Sequence, residues 1–186
     1  MSCVHADQYF IQAAALRGLS SIRASYDAED VIAAPNIGLA TPADAQSIAA
    51  LSRDQIEQGL RWSWTASRVR RAIADRNINV IVAREGAVII GFALMEYKSD
   101  RAHLLLLAVH PSHRRKGVGT AMLRWLEETL AVAGITAVQV EARASNAVAI
   151  AFYAKLGFEQ VNATPRSYQG VETAVHLVKG FPHAAT

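Results

Sequence analysis

The chain has 186 residues, 52% of them apolar and 19% charged, and a formal net charge of +3. That length suits one domain, and so much apolar material fills a proper core, which excludes a chain disordered throughout. The mild charge does not by itself imply nucleic acid, the lone Cys3 excludes an internal disulfide, and the apolar run "LLLLAV" at 104–109 is far short of the ~20 residues that span a bilayer.

Residues 1–35 differ from the rest of the chain. The start "MSCVHADQYFIQ" has no basic stretch ahead of a long apolar one, so no secretory leader is expected and the cytoplasm is the expected compartment. "YFIQAAALRGL" suits a short amphipathic helix and "SYDAED" a polar connection; together they read as an accessory arm, partly disordered, with no chemistry assigned. The main domain is expected over 36–180, with 181–186 as a tail.

"NIGLA" predicts a short strand. In "TPAD", Thr41 reads as an N-cap, Pro42 as the first helical residue and Asp44 as the closing member of a capping box, with the helix continuing through Ile48 and Leu51 to Leu60. "WSWTASRVRRAI" predicts a second helix capped by Ser63 or Thr65. "NVIVARE" (79–85), "VIIGFALMEYK" (88–98) and "AHLLLLAVH" (102–110) predict three strands joined by short turns, as in antiparallel hairpins. From Gly117 to Ala133 the spacing predicts a helix with Val118, Ala121, Met122, Trp125, Leu126 and Leu130 on one face, and Gly134 in the left-handed position beyond it. "ITAVQVEAR" (135–143) alternates as a strand, "NAVAIAFYAKL" (146–156) is a helix that Asn146 can cap, and "FEQV" and "TAVHLVK" (173–179) supply late strands. The order predicts mixed α/β (α+β) architecture with a largely antiparallel sheet.

Between the fourth strand and the third helix lies "HPSHRRKGVG" (110–119). Pro111 ends the strand, Gly117 and Gly119 let a ligand approach the backbone, and the helix start presents unpaired N–H groups backed by its dipole. Arg114, Arg115 and Lys116 add charge at that mouth, which suits phosphate. The glycine-lysine-serine/threonine order of ATP-binding loops and the third glycine of dinucleotide sites are both missing. A solvated turn accounts for this stretch as well as a phosphate cradle does.

"RRKGVG" (114–119) after an apolar strand, followed by "VEARASNAVAIAFYAKLGFE" (140–159), resembles the GCN5-related N-acetyltransferases (GNAT), and among them the ribosomal-protein-alanine N-acetyltransferase group. The resemblance covers 36–180. It implies a central sheet with splayed middle strands, flanked by the four predicted helices, and acetyl-CoA lying between strands 102–110 and 136–143. Pantetheine would run along the backbone of Leu107, Ala108 and Val109. The pyrophosphate would rest on the amides of Arg115, Lys116, Gly117, Val118, Gly119 and Thr120, assisted by Arg114. Asn146 matches a position that touches the cofactor, a role compatible with a plain helix cap.

The resemblance further implies direct acetyl transfer to a primary amine, with no metal and no covalent enzyme intermediate. Tyr153 stands at the general-acid position and Glu141 at that of the base, with Glu96 in reserve. A core tyrosine and a surface ion pair between Glu141 and Arg143 are the plain alternatives. An α-amine, with a pKa of about 7.7–8.0 against about 10.4 for lysine, needs the weaker base. The N–H of Val109 or a neighbour would stabilise negative charge developing on the thioester oxygen. Trp62, Trp64 and Tyr168 are candidates for substrate recognition, though the late "TPRSYQGVETAVHL" departs from the tyrosine-rich pattern of the alanine-acetylating group. The acceptor is therefore open between a protein N-terminus and a small amine. His110 and His113 read as solvated side chains rather than metal ligands. A non-catalytic acyl-CoA-binding regulatory module is the competing function. Nucleic-acid binding through "RVRR" and "HRRK" is the weakest reading, no membrane is involved, and a homodimer is compatible with the family.

Overall fold

Residues 35–181, apart from 131, 169 and 171, are described by a computed structural model. The arm expected at 1–35 and the tail expected at 181–186 fall outside these residues, apart from their innermost positions.

Strand β1 (Asn36–Leu39) leads through a single turn at Pro42–Asp44 into helix α1 (Ala45–Gln55). The "TPAD" signal works as expected: Asp44 Oδ2 accepts from the Thr41 N–H at 2.7 Å and from the Thr41 hydroxyl at 2.9 Å. Its other oxygen accepts from Arg84 on strand β2 (Ile78–Glu85) at 2.7 Å, which pins the start of the helix to the sheet. Burial would raise the Asp44 carboxyl, but the Arg84 guanidinium and the two Thr41 donors outweigh it and hold it below the usual carboxylate range. A depressed folded-state value means stability that is complete above the ordinary carboxylate pKa and lost as pH falls through the lower, folded one. Asp44→Asn should therefore cost about 1.5–3 kcal/mol at pH 7, and its urea midpoint should converge on that of the parent only as pH falls below the ordinary carboxylate range and through the lower folded-state value.

Helix α2 (Ala66–Ala74) begins at Thr65, whose hydroxyl accepts from the Arg68 N–H at 3.4 Å. Strands β3 (Val88–Tyr97) and β4 (Arg101–Val109) complete an antiparallel meander. Helix α3 (Val118–Glu127), strand β5 (Ala137–Arg143), helix α4 (Ala147–Lys155) and strands β6 (Glu159–Tyr168) and β7 (Glu172–Gly180) follow. The sheet order is β1-β2-β3-β4-β5-β7-β6, and only β4 and β5 run parallel. Helices α1 and α2 cover one face, burying Ile48, Val69, Phe92 and Leu94; α3 and α4 cover the other, burying Met122, Leu126, Val138 and Tyr153.

Two helices stop earlier than their periodicity predicts. Helix α1 ends at Gln55 rather than Leu60, because the Ile56 and Glu57 amides both turn back to the Ser52 carbonyl and Gly59 adopts φ +74°. Helix α3 ends at Glu127 rather than Ala133. Here Thr129 and Leu130 bond three residues back, and the Thr129 hydroxyl bonds the Leu126 carbonyl at 2.7 Å and Tyr97 at 2.6 Å. Tyr97 in turn accepts from Asn79 at 3.0 Å, so this buried polar trio tightens the last turn.

The feature that positions the site is a bulge in β4. Leu106 pairs with Leu94 and Leu104 with Met95, which leaves Leu105 as an extra residue. Before it, Ala102 and Leu104 face the α3/α4 core; after it, Leu106 and Ala108 face the α1/α2 core. Pairing between β4 and β5 also stops there, running only from Arg101↔Ala137 to Leu104↔Val140. Both strands continue, unpaired with each other, to Val109 and Arg143.

Candidate active site

The gap between the diverging strands opens into a cavity of about 600 Å³. Its walls are Leu104 to Leu107 of β4, Val140 to Arg143 of β5, Asn146 and Tyr153 of the α4 segment, and Glu57, Ser63 and Trp64 of the α1–α2 connection.

One wall of the gap is open backbone. The His110 N–H donates to the Ile90 carbonyl at 2.8 Å. Since successive backbone groups of a strand point to opposite sides, Ala108 and Leu106 face β3 as well, whereas Leu107 and Val109 face the side that β5 has left. The structure thus brings Leu107 and Val109 to the open edge, while the Ala108 side chain, 5% exposed, is packed in the α1/α2 core. The Val109 carbonyl accepts from Arg114 Nε at 3.2 Å, and the same guanidinium donates to Gln55 at 2.6 Å. Arg114 is thereby a strut between strand end and helix α1.

Beyond β4, Arg115 at φ +63° and Gly117 at φ +78° are both left-handed. Turns that include left-handed residues can gather successive N–H groups around an anion. The first helical bond of α3 is the Ala121 N–H to the Gly117 carbonyl, so the amides of Val118, Gly119 and Thr120 precede the ladder. Around them Arg115, Lys116 and Gly117 are exposed. A Cβ on Gly119 would stand 3.4 Å from the Phe152 ring and 3.6 Å from Val109, in ordinary contact, which shows how close the helix start lies to the strand edge.

The catalytic candidates reach the cavity from opposite faces. Glu141, on the side of β5 away from Val138 and Val140, is half-exposed and 3.5 Å from His176 of β7. Tyr153, 6% exposed, packs edge-on against Phe152 and Phe158 at centroid distances of 5.2 and 5.5 Å. Asn146 caps α4, its Oδ1 accepting from the Ala149 N–H at 3.0 Å. Glu96, the reserve base, lies opposite His103 in the strand register and pairs with Lys98 at 3.3 Å.

Several residues take parts that local sequence did not reveal. His103 lines the cavity; burial holds its imidazole below the ordinary range, although Glu141 and Glu96 pull the other way. Glu57, 7% exposed, organises the α1–α2 connection by accepting from the Ser63 N–H and hydroxyl, both at 2.7 Å, from the Ser52 hydroxyl and from the Trp64 amide. Arg143 reaches from β5 to the Gln58 carbonyl at 2.8 Å and to the Ile56 carbonyl, and so ties this connection over the end of the gap. Trp64 lines the cavity under Arg68, 4.0 Å above its ring, while Trp62 is 41% exposed. Tyr168 ends β6. His110 and His113, expected to be simply solvated, are bridged by the Ser112 hydroxyl at 2.7 and 2.8 Å, with Glu85 at 3.2 Å from His113. Among the described residues no cluster of three metal-ligating side chains occurs, and no helix is long and apolar enough to cross a membrane.

The sequence profile of the Acetyltransferase (GNAT) family matches residues 47–158. The chain belongs to this family. The [ribosomal protein bS18]-alanine N-acetyltransferase of Escherichia coli K12 is 32% identical to it over 105 residues, 56% of this chain and 70% of that protein. The crystal structure of the E. coli ribosomal-protein-S18-alanine N-acetyltransferase superposes with a TM-score of 0.71 at 25% identity, covering 81% of this chain and 96% of that one. The PaiA N-acetyltransferase of Thermoplasma acidophilum, solved with coenzyme A, shares the fold with a TM-score of 0.69 at 19% identity, over 79% and 99% of the two chains. The GNAT domain is thus an N-acetyltransferase with acetyl-CoA as co-substrate, a catalyst rather than a silent acyl-CoA-binding module. Its own features are compatible with that co-substrate: an open strand edge at Leu107 and Val109, and an exposed cationic loop leading into a helix start beyond the strand's end.

Proposed function

We propose that the acceptor is the α-amine of a polypeptide N-terminus, that Glu141 takes up its proton and that Tyr153 delivers one to the departing thiolate. The observation that carries this reading is that Glu141 and Tyr153, from opposite faces of the sheet, line one cavity at the point where β4 and β5 part.

Acetyl-CoA supplies the thioester carbonyl that the amine attacks. The amides of Arg115 to Thr120 receive the diphosphate, with Lys116 adding charge at the mouth, and the open backbone of Leu107 and Val109 aligns the pantetheine. The Val109 N–H, fixed by the strand, stands where charge develops on the thioester oxygen and costs no reorganisation when it does so. Asn146 fixes the start of α4 and, through the helix, the placement of Tyr153. Holding both reactants in one cleft removes most of the entropic cost of their meeting.

Two observations favour an α-amine. At neutral pH an α-amine is already in part unprotonated, so a carboxylate suffices as base, whereas a lysine amine requires more. The connection from Ile56 to Thr65 is held rigid by Glu57 and Arg143 beside a cleft that also includes Ser167 of β6, which leaves a lane for an extended chain end. The E. coli relative is named for acetylating alanine of a ribosomal protein, which agrees with this reading.

The test is an acetyl-transfer panel containing peptides with a free N-terminal alanine, the same peptides with blocked N-termini and an internal lysine, a polyamine and an amino-sugar. Free N-termini should give kcat/KM values at least tenfold above the others. A small amine that turns over as well or better overturns the assignment of acceptor.

A further inference from the structure

The face of the sheet that carries Glu141 holds a second arrangement, one to which acetyl transfer as proposed assigns no part. Strand β7 runs antiparallel to β5 with His176 directly opposite Glu141, and β6 flanks β7 on its other side. His176 Nδ1 stands 3.5 Å from Glu141 Oε1, an ion-pair distance, and its Nε2 lies 2.8 Å from the Thr164 hydroxyl. A hydroxyl, an imidazole and a carboxylate thus succeed one another across three strands, and the last of them lines the cavity.

At 3.5 Å the carboxylate stands within ion-pair range of the imidazole. The Thr164 hydroxyl donates to a bare Nε2 or accepts from an Nε2–H, whichever tautomer the ring holds. Either way Thr164 fixes the ring from behind. We infer that His176 is a positioning residue for the base: its ring, held by Thr164, keeps the Glu141 carboxylate turned into the cavity. This rests on Glu141 being the base.

The surroundings are those of a device rather than of a chance surface pair. Charged and titratable groups on the neighbouring strands are Arg143 on β5 and Glu172 on β7, 3.8 Å apart, then His103 on β4, Glu96 on β3 and Lys98 beyond it. Strand β6 faces His176 with Asn162 in register and with Thr164. Burial disfavours His103 as a cation, although Glu141 and Glu96 pull the other way. A free surface pair would have no reason to have its imidazole held by a hydrogen bond from a third strand.

The experiment is steady-state kinetics of the variants, using whichever amine of the panel turns over fastest. In His176→Ala kcat should fall about tenfold through misplacement of the base, while KM for acetyl-CoA is unchanged. His176→Asn, which keeps an N–H where Nδ1 stood, should restore kcat toward the parent's, and Thr164→Val should give a smaller loss. His176 is partly exposed and Thr164 exposed, so these variants should fold, and a retained acetyl-CoA-induced rise in melting temperature checks this. If Glu141→Gln loses turnover but His176→Ala and Thr164→Val both keep the parent's kcat, the role of His176 is refuted while Glu141 stands. If Glu141→Gln turns over as fast as the parent, the base assignment falls, and this inference falls with it.

Discussion

In Gly117→Glu, acetyl-CoA no longer raises the melting temperature. For the parent, a ligand present at about 100 times its Kd adds roughly 2.7 kcal/mol of stability, which for a domain of this size means a rise of roughly 5–10 °C. Gly117 sits at φ +78° in the loop that precedes α3, and no heavy atom lies within 4 Å of where its Cβ would be. A glutamate side chain therefore has room, and its fold-level cost is the left-handed backbone, roughly 1–2 kcal/mol. What it adds is a carboxylate at the mouth of a site whose amides and cations suit a diphosphate. Gly117→Ala carries the same backbone cost without the charge and should keep most of the ligand-induced rise. Differential scanning fluorimetry of the three proteins with and without acetyl-CoA decides the matter: a full rise in Gly117→Glu would show that the diphosphate does not rest on this loop.

Tyr153→Phe should lower kcat by about 10²–10⁴-fold, the usual worth of a positioned proton donor. Its ring is buried against Phe152 and Phe158 in edge-on contacts that phenylalanine preserves, so the core around α4 should remain intact. The acetyl-CoA-induced rise in melting temperature should be that of the parent, because the loop at 115–120 and the edge of β4 are untouched. Steady-state kinetics thus separate chemistry from binding: kcat falls and KM for acetyl-CoA holds. Turnover within threefold of the parent would reduce Tyr153 to a core residue and require another donor for the leaving group.

The first prediction rests on a loop that local sequence singles out, the second on a residue that the family resemblance singles out. The loop at 110–119 announces itself by proline, cations and glycines within a few residues of a strand end and a helix start, and each of those signals is a local backbone property. The Thr41–Asp44 cap, the Thr65 cap of α2 and the Asn146 cap of α4 are legible for the same reason: donor and acceptor lie three residues apart. Local signals failed where distant groups compete with periodicity. The apolar pattern of α3 runs on to Leu130, yet Tyr97, far away in sequence, bonds Thr129 and helps to end the helix at Glu127. The "DQIEQGL" stretch continues a helical pattern, but Glu57 turns its carboxylate to Ser63 and Trp64 instead.

By itself the sequence determined the order of strands and helices and the cationic loop ahead of α3, since alternation, capping and glycine placement are short-range constraints; Glu141 and Tyr153 entered only through the resemblance to the family. Only the tertiary structure decided that Leu105 is an extra residue in β4, which rotates Leu107 and Val109 toward the α3/α4 core just where β5 leaves. It alone decided that His176 stands behind Glu141 and that Arg143 holds the α1–α2 connection. Strand register and bulges arise from pairing between segments remote in sequence, and the side chain that meets a given carboxylate is set by that register rather than by anything within its own strand.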